Sequence, residues 1–86
     1  MGFDVALALL EIAVLLLDLG RTAEVKALAP DLARLFSAQG IHREALAALR
    51  VFRRAVEKDE ATAALARRVL GFLFRARYDE GLRFRR

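Results

Sequence analysis

The sequence predicts an all-α protein: four antiparallel helices arranged as two stacked helical hairpins. Three observations predict it. Alanine occurs 17 times and leucine 16 times in 86 residues, and both are strong helix formers. One proline and five glycines leave too little punctuation for a sheet protein, which needs a turn signal every few residues. Apolar residues recur at steps of three and four, the spacing of a helix with one buried face.

The first helix is expected from about Phe3 to Leu19, with Gly20 in the left-handed position just past its end. Its acidic residues Asp4, Glu11 and Asp18 are seven apart and share one narrow stripe. Everything else on this helix is apolar, which predicts burial nearly all round. Four helices this short satisfy that only if the others wrap the first, or if a second copy or a further repeat covers it.

The second helix is expected to start at Ala23 with Thr22 as its N-cap and Glu24 favouring the positive helix start. Val25, Leu28, Ala29, Leu32, Leu35 and Phe36 form its core side, and Gly40 ends it. Pro30 falls inside, where it removes a backbone donor and clashes with the preceding turn. The expected result is a kink or short break near Ala27–Ala29.

The third helix is expected from about Arg43 to Glu57, with a core stripe of Ala45, Ala48 or Leu49, Phe52 and Val56. Asp59 reads as the N-cap of the fourth, from about Glu60 to Tyr78. Ala61, Leu65, Val69, Phe72 and Ala76 make one apolar row of that helix; Ala66, Leu70 and Leu73 make a second. Phe74 and Tyr78, four apart, lean outward. Residues 1–78 are therefore one helical domain, and 79–86 a basic, frayed tail.

Composition narrows the function classes. Cysteine is absent and His42 is the only histidine. Disulfide frameworks, thiol nucleophiles and thiolate metal sites are excluded. His42 reads as an N-cap or surface residue, with only Thr22, Ser37 and Thr62 as hydroxyl partners for nucleophilic chemistry. No glycine-rich phosphate loop or calcium loop is present. No catalytic residue, metal ligand or cofactor site is assigned. The apolar run of the first helix is broken by Glu11 at its middle and falls short of the ~20 apolar residues of a membrane span. The start of the chain has no basic region of a secretory signal. The expectation is a cytoplasmic protein that does not engage a membrane. Arginine outnumbers lysine 13 to 2, a usage suggestive of a GC-rich bacterial genome.

Charge is uneven. The net charge is +4, made of −2 over residues 1–40 (three basic, five acidic) and +6 over residues 41–86 (twelve basic, six acidic). Arg43, Arg50, Arg54, Arg67 and Arg68 recur along the polar sides of the third and fourth helices. They form a candidate basic face for a protein, a peptide or, as the alternative, nucleic acid. Leu9 and Leu16 are the candidate self-association residues on the over-apolar first helix.

Two segments repeat a pattern. Leu16, Gly20, Glu24 and Val25 parallel Phe36, Gly40, Glu44 and Ala45. Each reads apolar residue, three residues, Gly, three residues, Glu, small apolar residue. The pattern resembles the helical-hairpin signature of the tetratricopeptide-repeat family, closely at the second segment and loosely at the first. The two signatures lie 20 residues apart, so they mark successive turns rather than successive repeats. The early aromatic and closing proline positions of the family are not in place. The resemblance implies an α-solenoid piece made of the last two hairpins of such a protein, and a scaffolding or peptide-binding role without catalysis. Arrays of this kind want about three repeats, so two hairpins imply a piece of a longer array or a self-associating unit, with a dimer as the commonest closed solution.

Overall fold

The computed structural model describes residues 2–34 and 43–79. Among them the chain is all-α, with helices α1 (Gly2–Asp18), α2 (Thr22–Lys26), α3 (Ala29–Arg34), α4 (Arg43–Glu57) and α5 (Ala63–Ala76). The expected second helix is α2 and α3 in succession, interrupted at Ala27 and Leu28. Pro30 is the cause. It is the second residue of α3, where its missing N–H would have no partner in any case and its fixed φ suits a helix start. The backbone turns there through a Leu28 N–H bond to Val25 O at 2.9 Å.

The helices pack as two antiparallel hairpins, one from α1 with α2 and α3, the other from α4 and α5. The hairpins stack through α3 on α4 and through α1 on α5. The α1–α5 contact is the most extensive in the fold and brings the first helix against the last. Arg67 of α5 pairs with Asp18 at one end of α1. Arg77, just beyond α5, reaches Asp4 at the other end, 2.9 Å away. That crossing of ends fixes α1 and α5 as antiparallel.

One core runs through the stack. Ala6, Leu7, Leu10 and Ala13 enter it from α1, Val25 and Leu32 from α2 and α3, and Ala45, Ala48, Leu49, Phe52 and Val56 from α4. Ala66, Val69, Phe72, Leu73 and Ala76 complete it from α5. The expected α4 stripe is thus present in full, with both Ala48 and Leu49 buried. Alanine at Ala6, Ala13, Ala45, Ala48, Ala66 and Ala76 lets these helices approach closely, and Phe52 and Phe72 fill the space between them.

The turns that close α1 and α4 are alike. Gly20 has φ +72°, its N–H bonds Leu17 O at 3.1 Å, and the Arg21 N–H bonds Leu16 O at 2.9 Å. Asp59 has φ +57°, its N–H bonds Val56 O at 3.1 Å, and the Glu60 N–H bonds Ala55 O at 2.7 Å. Both pairs of bonds satisfy the last helical carbonyls around a left-handed residue.

Asp59 therefore ends α4 and does not cap α5, contrary to the sequence expectation. The cap is Thr62, whose hydroxyl accepts from the Leu65 N–H at 3.1 Å, and α5 starts three residues later than expected. Thr62 offers the extended backbone that a capping hydroxyl needs; Asp59, held left-handed by the previous helix, cannot. Thr22 is likewise not a cap. It is the first residue of α2, and Arg21 stands before it without a side-chain cap bond, its guanidinium turned to Glu24. The expectations that fall on Leu35, Phe36, Ser37, Gly40, His42 and residues 80–86 lie outside the described residues.

Candidate interaction surface

α1 has no polar face to decide which side it buries, and the fold resolves this by its neighbours. Ala6, Leu7, Leu10 and Ala13 point inward. Val5, Ala8, Ile12, Leu15 and Leu19 point outward. Their exposures are large for such side chains: 51% for Val5, 46% for Ile12, 64% for Leu15 and 68% for Leu19. Among the described residues only two other large apolar side chains are comparably exposed, Phe74 and Tyr78 at the end of α5. The expectation that α1 is buried nearly all round is corrected: α5 and the α2 segment cover one side and leave the other open.

The open side has a definite layout. At 100° per residue, Leu15, Ala8, Leu19, Ile12 and Val5 occupy one continuous arc. Asp18, Glu11 and Asp4 border it on the side of α5, where Arg67 and Arg77 pair with the outer two acids. Leu9 and Leu16 border it on the other side. These two, singled out for self-association, are half-buried and packed against the core. The acid stripe was the one signal in the sequence that could have oriented this helix, because charged groups mark its edge against solvent. The exposed apolar arc begins beside that stripe, and Leu9 and Leu16 lie beyond it.

The candidate arginine face is split. Arg43, Arg50 and Arg54 lie on one exposed stripe of α4, seven and four residues apart. Arg67 is on the α1 side of α5 and is bound to Asp18, so it does not join that stripe. Arg68, one residue on, is turned about 100° around the helix from Arg67 and is exposed. Phe74 and Tyr78 do lean outward, with the Arg77 guanidinium 5.7 Å from the Tyr78 ring centre.

A small hollow lies between the two helix-closing turns, lined by Leu17, Thr22, Val25, Val56, Asp59 and Ala61. Asp59 of this lining is ion-paired with the Lys26 ammonium, 3.3 Å from its Oδ2. The hollow offers one hydroxyl, one ion-paired carboxylate and four apolar side chains. Among the described residues no group of three or more His, Asp or Glu side chains gathers to hold a metal. No described helix is long and apolar enough to cross a membrane. No family model, no curated protein and no solved structure matches this chain.

Proposed function

We propose that this chain is a non-catalytic, cytoplasmic protein–protein interaction module, akin to the tetratricopeptide-type hairpin repeats, that self-associates as a dimer through the outer face of α1. The observation that carries the reading is the apolar arc of Val5, Ile12, Leu15 and Leu19, which is exposed on a helix otherwise packed into the core. Contiguous exposed apolar surface of this kind marks interaction sites. The packing of α1 on α5 closes the two hairpins on each other, which favours a discrete symmetric partner over an open array.

Magnitudes set the character of the dimer. Full burial of a Val, Leu or Ile side chain is worth roughly 1.5–3 kcal/mol. Eight such side chains across two copies, each about half exposed beforehand, contribute roughly 6–12 kcal/mol. Association itself costs about 4–15 kcal/mol. The two are of one order, so the dimer dissociates on dilution. Light scattering after size exclusion tests this at low and high salt. A dimer is expected at both salts, falling apart as concentration drops. A 9.6 kDa species at every concentration removes the reading.

A second reading rests on Arg43, Arg50 and Arg54, which line one exposed face of α4 and suit an anionic partner such as nucleic acid. Binding of that kind weakens steeply with salt, because counterions are released on binding. The same salt series repeated with a nucleic-acid duplex added separates the two readings: co-migration at low salt that is lost at high salt supports this one, and none at low salt removes it.

A further inference from the structure

The geometry points to a second copy of this chain seated on α1 with its own α1 running antiparallel. The inference rests on the self-association proposed above and adds the orientation. Val5, Ala8, Ile12, Leu15 and Leu19 follow steps of three and four, the spacing by which one helix offers a seam to another. The two edges of this seam differ in chemistry. One is the acid row Asp4, Glu11 and Asp18, with Arg77 and Arg67 of α5 bound to its outer members. The other is Leu9 and Leu16, half-buried and uncharged.

Orientation decides which edges meet. In a parallel pair the residues flanking opposite sides of the seam face each other. The acid row would then lie against the partner's Leu9 and Leu16, which take water from it and offer no donor to Glu11, the one member that neither Arg67 nor Arg77 holds. In an antiparallel pair each edge meets its own counterpart. The acid row is symmetric about Glu11, so reversal carries it onto itself. The Asp4–Arg77 pair of one copy then approaches the Asp18–Arg67 pair of the other, and both ends of the interface become mixed-charge networks. Leu9 and Leu16 meet their own equivalents on the far edge. At the two ends each carboxylate keeps its own arginine, so the like-charge approach without a cation beside it is between the two Glu11 side chains, which stay at the solvent-exposed rim, where charge interactions are weak. This is a self-complementary twofold surface.

The absence of cysteine makes the test clean, since an introduced thiol is unique. Val5 and Leu19, the latter just past the end of α1, lie about 21 Å apart along the helix axis. Val5→Cys and Leu19→Cys are prepared separately, shown by sedimentation to dimerise, and treated with a short bifunctional maleimide alone and as a mixture. Covalent dimer is expected in the mixture and in neither variant alone, because antiparallel helices bring Val5 near the partner copy's Leu19 and keep like positions far apart. Covalent dimer from either single variant shows parallel helices and overturns the orientation. Dimers by sedimentation with no cross-link in any sample place the interface off α1 and also overturn it. Wild-type protein that stays monomeric at every concentration removes the self-association itself, a failure separate from that of its orientation.

Discussion

Asp59 closes α4 in the same left-handed turn by which Gly20 closes α1. The two residues have φ values of +57° and +72° and the same pair of backbone bonds to the preceding helix. They differ in what the conformation costs. Glycine takes it freely, whereas a residue with a β-carbon is strained there by roughly 1–2 kcal/mol, less for Asp. Asp59 recovers part of that through Lys26, 3.3 Å away on α2. That pair is half exposed, so it contributes at most about 1 kcal/mol.

Asp59→Gly is therefore expected to stabilise the protein slightly, by about 0.5 kcal/mol, the relief of strain exceeding the lost ion pair. Gly20→Ala is expected to destabilise it by roughly 1 kcal/mol through strain alone, since nothing stands near the added β-carbon. Urea denaturation of both variants measures the two signs. A destabilised Asp59→Gly would mean that the Lys26 contact outweighs the backbone.

The start of α5 depends on Thr62. Thr62→Ala loses the hydroxyl that accepts from Leu65 and is expected to cost about 1 kcal/mol. Thr62→Ser keeps the oxygen and is expected to stay within a few tenths of wild type. Asp59→Gly removes the carboxylate, suits the left-handed turn and leaves the Thr62 cap intact, so its α5 amides are expected to keep wild-type hydrogen-exchange protection; faster exchange at the first turn of α5 would restore Asp59 as a capping residue.

The two sides of α1 separate assembly from folding. Ile12→Glu and Leu15→Glu place charge on the exposed arc and are expected to give a folded monomer with unchanged helicity. Leu16→Glu and Leu9→Glu press charge against the core and are expected to destabilise by roughly 1–3 kcal/mol. Circular dichroism melts beside sedimentation distinguish the pairs. An Ile12→Glu variant that still assembles as wild type would exclude the arc as the interface.

Charge reversal on the basic face is a control with an informative failure. Arg50→Glu, Arg54→Glu and Arg68→Glu together are expected to leave dimerisation unchanged, because none of these residues borders the α1 arc. Loss of the dimer would place the interface on α4 and α5 instead.

Much of this arrangement is legible in the sequence where periodicity has a polar side to set it. α4 runs from Arg43 to Glu57 as expected, because Arg43, Arg50, Arg54 and Glu57 mark its wet side. The break between α2 and α3 follows from Pro30 alone. α1 defeats the same method. Its apolar residues lie all round, so periodicity cannot distinguish Leu9 and Leu16, which meet the core, from Ile12 and Leu15, which do not. That choice is made by α5, far away in sequence. The start of α5 was missed for a local reason: Asp59 and Thr62 are both good capping residue types, and only the left-handed closure of α4 assigns them different work. Arg67 and Arg68 both read as polar-side residues of the last helix, and only the packing of α1 on α5 shows that Arg67 is paired with Asp18.

The pairing of the first helix with the last also bears on how the chain is made. A ribosome adds about 5–20 residues per second, so α1 emerges several seconds before its main cover exists. During that interval Ala6, Leu7, Leu10 and Ala13 are as open to water as the outer arc, and only the row Asp4, Glu11 and Asp18 breaks the apolar surface of the segment. Nascent α1 thus exposes more apolar surface than the folded chain leaves on it. Its handover to α5 is the step at which a slowed or truncated synthesis would leave the chain prone to aggregate.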